Sequence, residues 1–198
     1  MGATVPAYDA HTALIVVDVQ NDFADPHGSL YVKGGEEVVR AVNREIEEAK
    51  RAGALVVYTQ DWHPESTPHF EKDGGIWPVH CVRGSWGAEL HPSLEVEGEV
   101  VRKGTGGEDG YSGFTVRDPE SGETASTNLE QLLRDRGVTR NVVVGLATDY
   151  CVKETALDSL AKGFETTVSR GAIAAVDLEP GDGARALEEI ERSGGRIE

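Results

Sequence analysis

Four side chains of complementary chemistry stand at the ends of apolar runs in this sequence. Asp18 closes ALIVVD (13–18), and Asp61 follows ALVVYTQ (54–60) with His63 two residues on. Lys103 closes EGEVVRK (97–103), and Cys151 follows NVVVGL (141–146) inside GLATDYCV (145–152). Cys151 has the character of a nucleophile. A thiol at the start of a helix feels the positive end of the helix dipole, which favours the thiolate. A free cysteine titrates near about pH 8.5, so a cation or a base is also needed close by. Lys103 could be that cation and Asp18 that base. Backbone N–H groups of the tight turn around Cys151 could hold a developing oxyanion. The bland alternative is a small buried residue at a strand–helix turn.

Asp61 and His63 pair a carboxylate with an imidazole, and His69 and His80 are candidates to complete a metal-ligand set. Oxygen and nitrogen donors of this kind suit Zn²⁺, Fe²⁺ or Mn²⁺. Cys81, beside His80, reads as a buried thiol, and Asp22 as a carboxylate that holds a turn. His11, His27 and His91 show no partner pattern and read as surface residues. The stretch KGTGGEDGYSG (103–113) lacks the GK[ST] ending of a phosphate loop and does not complete GxGxxG. Its glycines instead let backbone pass close to a small ligand.

The elements that must position these residues alternate between strand and helix. The apolar, β-branched run 13–18 suits a strand buried on both faces. Val38, Val39, Val42, Ile46 and Ala49 form one helical stripe over 36–51, with Gly53 as the stop. Further strands are expected at 54–60, 97–103, 141–146 and 165–169, and helices at 152–162, closed by Gly163, and at 184–192, capped by Asp182. Thr127 and Glu130 have the spacing of a capping box ahead of Leu129, Leu132 and Leu133. The stretch 61–92 is a long loop holding four of the six histidines and all three tryptophans, a content that favours a functional role. The expected fold class is α/β, with a mostly parallel sheet covered on both sides and ligands outside the carboxyl ends of its strands.

Composition narrows the function further. The chain has 198 residues, with 19 Lys and Arg against 35 Asp and Glu and a formal net charge of −16. So acidic a surface disfavours nucleic acid and anionic membrane as partners. No aliphatic run is longer than Ala13 to Val17, far short of the roughly 20 apolar residues of a membrane span. Two cysteines and no visible signal peptide lead us to expect a cytoplasmic protein without a disulfide framework, organised as one domain over 1–198.

Taken in order, VVDVQNDF (16–23), TQDWHPESTPHF (59–70), GGIWPVHCV (74–82), KGTGGEDGYSGF (103–114) and GLATDYCV (145–152) resemble the isochorismatase-like hydrolase superfamily, and within it the nicotinamidases. The resemblance implies a three-layer α/β/α fold with a sheet of about six strands. It implies a triad of Asp18, Lys103 and Cys151, and one divalent metal ion, zinc first and iron or manganese next, on Asp61, His63 and His80. His69 takes the place of a further ligand found in some relatives. The resemblance also implies a cis peptide at Leu146–Ala147, an oxyanion site at the N–H groups of Ala147 and Cys151, and a substrate pocket lined by Phe23, Trp77, Tyr111 and Ala147. The implied reaction is hydrolysis of nicotinamide to nicotinate and ammonia through a cysteine thioester, with pyrazinamide as a second aromatic amide and a homo-oligomer as the implied assembly. Alternatives at this stage are an isochorismatase or N-carbamoylsarcosine amidase type of activity, a metal-water amidohydrolase with a structural cysteine, and a non-catalytic binding domain.

Overall fold

The computed structural model describes residues 8–198. The chain begins with β1 (Thr12–Val17), α1 (Asn21–Ala24), α2 (Gly35–Arg51) and β2 (Leu55–Asp61). The long loop after β2 leads to β3 (Glu99–Lys103) and then to a small hairpin, β4 (Thr115–Arg117) and β5 (Thr124–Ser126). α3 (Leu129–Asp135) and β6 (Arg140–Leu146) follow, then a π-helical turn over Thr148–Val152 that runs into α4 (Lys153–Ala161). β7 (Glu165–Ala174), α5 (Asp182–Arg192) and β8 (Arg196–Ile197) complete the order. Among the described residues, no helix is long and apolar enough to cross a membrane.

Six strands form one parallel sheet in the order β3-β2-β1-β6-β7-β8. β1 is buried along its whole length, because helices cover both faces of the sheet. Alternation along the strand splits its side chains between two cores. Leu14 and Val16 pack with Val38, Val42 and Ile46 of α2 on one side. Ala13, Ile15 and Val17 pack on the other with Leu129 and Leu133 of α3, Ala156 of α4, and Leu187 and Ile190 of α5. The result is the expected three-layer arrangement.

From β1 the chain adds strands outward to β3, then returns to the far side of β1 to start β6. The direction of winding therefore reverses between β1 and β6, and such a reversal opens a crevice beyond the strands' carboxyl ends. Gly145 lets the two strands meet there. It pairs with Val17 at φ 113°, and a Cβ would lie 2.1 Å from the Val17 carbonyl oxygen.

Several local expectations are corrected. β7 runs five residues beyond 165–169, through the polar SRG, with a shift of register between Val143 and Gly145 that brings Ala174 opposite Leu146. Thr127 and Glu130 form no capping box. The Thr127 hydroxyl accepts from the Leu129 N–H at 3.2 Å, while Glu130 pairs with Lys162 at 2.8 Å. Asp182 is the first residue of α5 and not its cap; its carboxylate accepts from the Glu179 N–H and pairs with Arg185. Gly53 and Gly163 stand just past α2 and α4 at positive φ, as expected of helix stops.

Gly145→Ala is expected to lower stability by roughly 3 kcal/mol in urea denaturation, because its methyl group meets backbone on the neighbouring strand. Gly171→Ala, whose new methyl group meets nothing within 4 Å, serves as the control and shifts stability by less than about 0.5 kcal/mol.

Candidate active site

Strand register brings the first three charged groups together. Val17 lies opposite Thr59, and Asp61 opposite Lys103, so Asp18, Asp61 and Lys103 crowd one edge of the sheet. Asp18 turns its backbone to φ 48°, a left-handed conformation that Asp tolerates better than branched residues do. The Lys103 ammonium donates to Asp18 Oδ2 at 2.7 Å, to Asp61 Oδ1 at 2.5 Å and to the carbonyl oxygen of Gly110. An ammonium has three N–H donors, and all three are used. The Thr59 hydroxyl donates to the other Asp18 oxygen at 2.7 Å. Cys151 follows β6, on the opposite side of β1, within the π-helical turn. Its Sγ lies 3.8 Å from Lys103 Nζ and within 4.8 Å of oxygens of Asp18 and Asp61.

The electrostatics divide labour between the two carboxylates. Burial pushes Asp18 up to about 6; Lys103 opposes this and the neighbouring Asp61 adds to it. Burial also raises Asp61, but the Lys103 ammonium and His63 outweigh it and hold that carboxyl well below the usual range. Lys103 is disfavoured as a cation by burial, yet Asp18 and Asp61 carry it well above its ordinary value. The Cys151 thiol is pushed well up by burial, with Lys103 acting the other way and Asp18 reinforcing the rise. The sulfur is buried beside two carboxylates, and both disfavour its ionised form. Burial beside two carboxylates thus works against the helix N-terminus and Lys103, so the thiol needs a base close by.

The histidines gather on the other side of Asp61. His63, His69 and His80 are buried, with ligand atoms all within 4.8 Å of one another. The Nδ1 of His69 is 2.6 Å from Asp109 Oδ1, and that of His80 is 2.7 Å from the Pro78 carbonyl oxygen. In each ring an N–H directed at that oxygen leaves Nε2 with a free lone pair. Burial lowers His80 to about 4, which keeps its ring neutral. Neither ring nitrogen of His63 has a hydrogen-bond partner, although both are buried. Orphaned buried nitrogens are costly, and a cation among three imidazoles would satisfy one of the two on His63. The donor set thus fits a divalent metal ion. Asp61 stands between the two clusters. One oxygen is on Lys103, and the other is 3.7 Å from His63 Nε2, too far for a hydrogen bond. The glycine-rich loop passes directly over this region; a Cβ on Gly104, at φ 71°, would lie 2.6 Å from the His63 ring.

Both clusters open into one pocket whose lining includes Phe23, Trp77, Tyr111, Ala147, Cys151, His69 and His80. Trp77 Nε1 donates to the Tyr111 hydroxyl at 2.9 Å. The Leu146–Ala147 peptide is cis. Sequence reasoning missed Tyr150, which packs edge-on against Trp77 at 4.8 Å between ring centres, and the wall residues Leu30, Val32 and Val176. It also missed Gln20, whose side-chain amide brackets the Asp61 backbone, accepting its N–H and donating to its carbonyl oxygen, each at 2.8 Å. Asp22 holds loops, accepting the N–H groups of Ser29 and Cys81, and Cys81 is a buried thiol outside both clusters. His11 and His27 are exposed and His91 is half-buried.

Lys103→Met keeps the side chain's length but leaves two buried carboxylates facing each other. The variant is expected to lose about 3–5 kcal/mol in chemical denaturation at neutral pH, the usual cost of removing one partner from a buried ion pair.

Comparison with known proteins agrees with this geometry. The Isochorismatase domain model matches residues 12–197. The nicotinamidase of Escherichia coli (strain K12) is 36% identical over 203 residues, covering 93% of each chain. The crystal structure of the pyrazinamidase of Pyrococcus horikoshii in complex with zinc is 42% identical with a TM-score of 0.84, over 95% of this chain and 98% of that one. The structure of PnC1 from L. infantum in complex with nicotinate is 35% identical with a TM-score of 0.88, over 98% of this chain and 96% of that one. With a family model spanning nearly all the described residues, and relatives of this identity along almost the full length, the chain belongs to the isochorismatase family, in the branch that holds the nicotinamidases.

Proposed function

We propose that this chain hydrolyses nicotinamide to nicotinate and ammonia, with Cys151 as the nucleophile. The observation that carries the reading is Cys151 at one wall of an aromatic cavity, with the Lys103–Asp18 pair buried beside it and His69 and His80 also in the lining. Relatives support it: one carries nicotinate and another zinc in solved structures.

His63, His69 and His80 would hold the metal, with Asp61 beside them, and zinc is the ion we favour over iron or manganese. When bound, it supplies a Lewis-acidic partner for a pyridine-type ring nitrogen. Phe23, Trp77 and Tyr111 enclose the ring, which turns a loose encounter into a fixed approach of the amide carbon to the sulfur. Asp18 takes the proton of Cys151 as Sγ bonds to the amide carbon. Lys103, charged throughout, holds Asp18 in place and stabilises the emerging thiolate. The N–H groups of Ala147 and Cys151 donate to the oxyanion; removing one such donor typically costs about 3–4 kcal/mol. Asp18 then returns its proton to the departing amine, which leaves as ammonia while the C–N bond breaks. A thioester remains. Water, deprotonated by Asp18, attacks it and releases nicotinate and the thiol. Pyrazinamide also offers a ring nitrogen and a carboxamide, and is the second substrate we propose.

Cys151→Ala is expected to abolish ammonia release from nicotinamide while metal content, measured by elemental analysis, stays at the wild-type level. Retained turnover would favour attack by a metal-activated water with a structural cysteine. In a panel of aromatic amides and carbamoyl compounds, nicotinamide and pyrazinamide should be the best substrates; faster release from a carbamoyl compound would overturn the assignment. The pH dependence follows from Asp18. Protonated, it cannot accept the thiol proton, so kcat/KM should be level above about 6 and fall tenfold per unit as the pH drops below it. A profile flat down to the ordinary carboxylate range would remove Asp18 from the base role.

A further inference from the structure

We propose that Asp109 is a positioning residue for the metal cluster. It fixes the ring of His69, and the β4–β5 hairpin exists in part to hold Asp109 in place. The proposal rests on the metal reading given above and extends it to a loop and a hairpin that the reaction itself does not use.

Three observations converge. The first is the contact: Asp109 Oδ1 lies 2.6 Å from His69 Nδ1, with side chains only 16% and 5% exposed. A carboxylate there accepts the Nδ1 proton, sets the tautomer and points the Nε2 lone pair into the cluster. Its charge also makes the imidazole a stronger donor. Of the three clustered histidines, His69 alone has a carboxylate on Nδ1. His80 has a neutral carbonyl oxygen there, and neither His63 nitrogen is hydrogen-bonded.

The second is the brace. The Asp109 N–H donates to the Arg117 carbonyl oxygen at 2.7 Å, and the Arg117 N–H returns a bond to the Asp109 carbonyl oxygen at 3.0 Å. Arg117 ends β4 and pairs across to Thr124 of β5. A reciprocal pair of this kind pins one residue of a glycine-rich loop, so the carboxylate need not be ordered anew when a metal binds. The third is a tie between the two loops. The Thr67 hydroxyl donates to the Gly107 carbonyl oxygen at 2.5 Å and accepts the His69 N–H at 3.2 Å. Both ends of the Asp109–His69 contact are thus held to one another by backbone as well as by side chain. Asp109 is not part of the lining of the substrate cavity, so its influence on that cavity runs through His69.

The test is a double-mutant cycle on zinc affinity, measured by competition between metal-free protein and a chromophoric chelator, for wild type, Asp109→Ala, His69→Ala and the double variant. Asp109→Ala is expected to weaken zinc binding by about 10- to 100-fold. In the His69→Ala background the same change should alter affinity by less than about twofold, because the residue it acts through is gone. Asp109→Asn, which keeps the acceptor oxygen and loses the charge, should fall between wild type and Asp109→Ala, and it replaces that variant if the alanine form does not fold. Wild-type affinity in Asp109→Ala, or an equal loss with and without His69, would overturn the proposal while leaving the metal site standing. Failure of zinc to bind the wild type would remove the metal reading and the proposal together.

Discussion

A single buried ammonium shared by two carboxylates organises this protein. Lys103 is 1% exposed and Asp18 is wholly buried. Moving such charges out of water costs several kcal/mol each, and the arrangement persists only because each charge faces its partners at hydrogen-bonding distance. The partners come from the ends of three neighbouring parallel strands, so the site cannot form until β1, β2 and β3 are in register. The stoichiometry also matters. Two carboxylates around one ammonium leave an excess negative charge, and the protein settles it unequally. Asp61, with His63 as well as Lys103 beside it, stays ionised, whereas Asp18 is lifted toward neutrality. Environments that push two carboxyl groups apart separate their roles: one becomes the proton carrier and the other a fixed charge.

Asp61 also joins two chemistries. Through one oxygen it belongs to the cluster around Lys103, and through the other it faces the histidines. The loop that follows Lys103 serves both sides. Gly110 gives its carbonyl oxygen to the ammonium, Gly104 passes against His63, and Asp109 meets His69. A loop that approaches side chains this closely needs its glycines for space, and this explains a composition that superficially suggests a phosphate-binding turn. Gln20 completes the support by fixing the Asp61 backbone from both directions.

The legible parts of the sequence are those where burial on two faces leaves a simple signature. ALIVVD and NVVVGL are continuous because helices cover both sides of β1 and β6, and the stripe from Val38 to Ala49 is the face α2 turns to the sheet. Parallel strands end along one edge, so the sequence alone groups Asp18, Asp61 and Lys103. Other features have no local signal. β4 and β5 are three-residue strands at the surface, and the later half of β7 carries Ser169 and Arg170, which hide its continuation. Tyr150 precedes the cysteine of its motif with no signal of its own, and Val176 lies beyond the apolar run that marks β7; only tertiary packing brings them to the cavity. The surroundings of the Cys151 thiol are hidden for a similar reason. Burial and two nearby carboxylates are properties of the assembled site, which a local reading of a helix terminus does not contain.

The central claim, that Asp18 controls the proton on a buried, neutral Cys151, is tested most directly by the pH dependence of thiol alkylation. Iodoacetamide labelling of Cys151 would be followed by peptide mass spectrometry in wild type and Asp18→Asn, with the buried Cys81 as internal reference. The account predicts a wild-type rate that rises through an inflection near pH 6, the value to which Asp18 is lifted, and a slow rate without that inflection in Asp18→Asn. Identical profiles in the two proteins would contradict it.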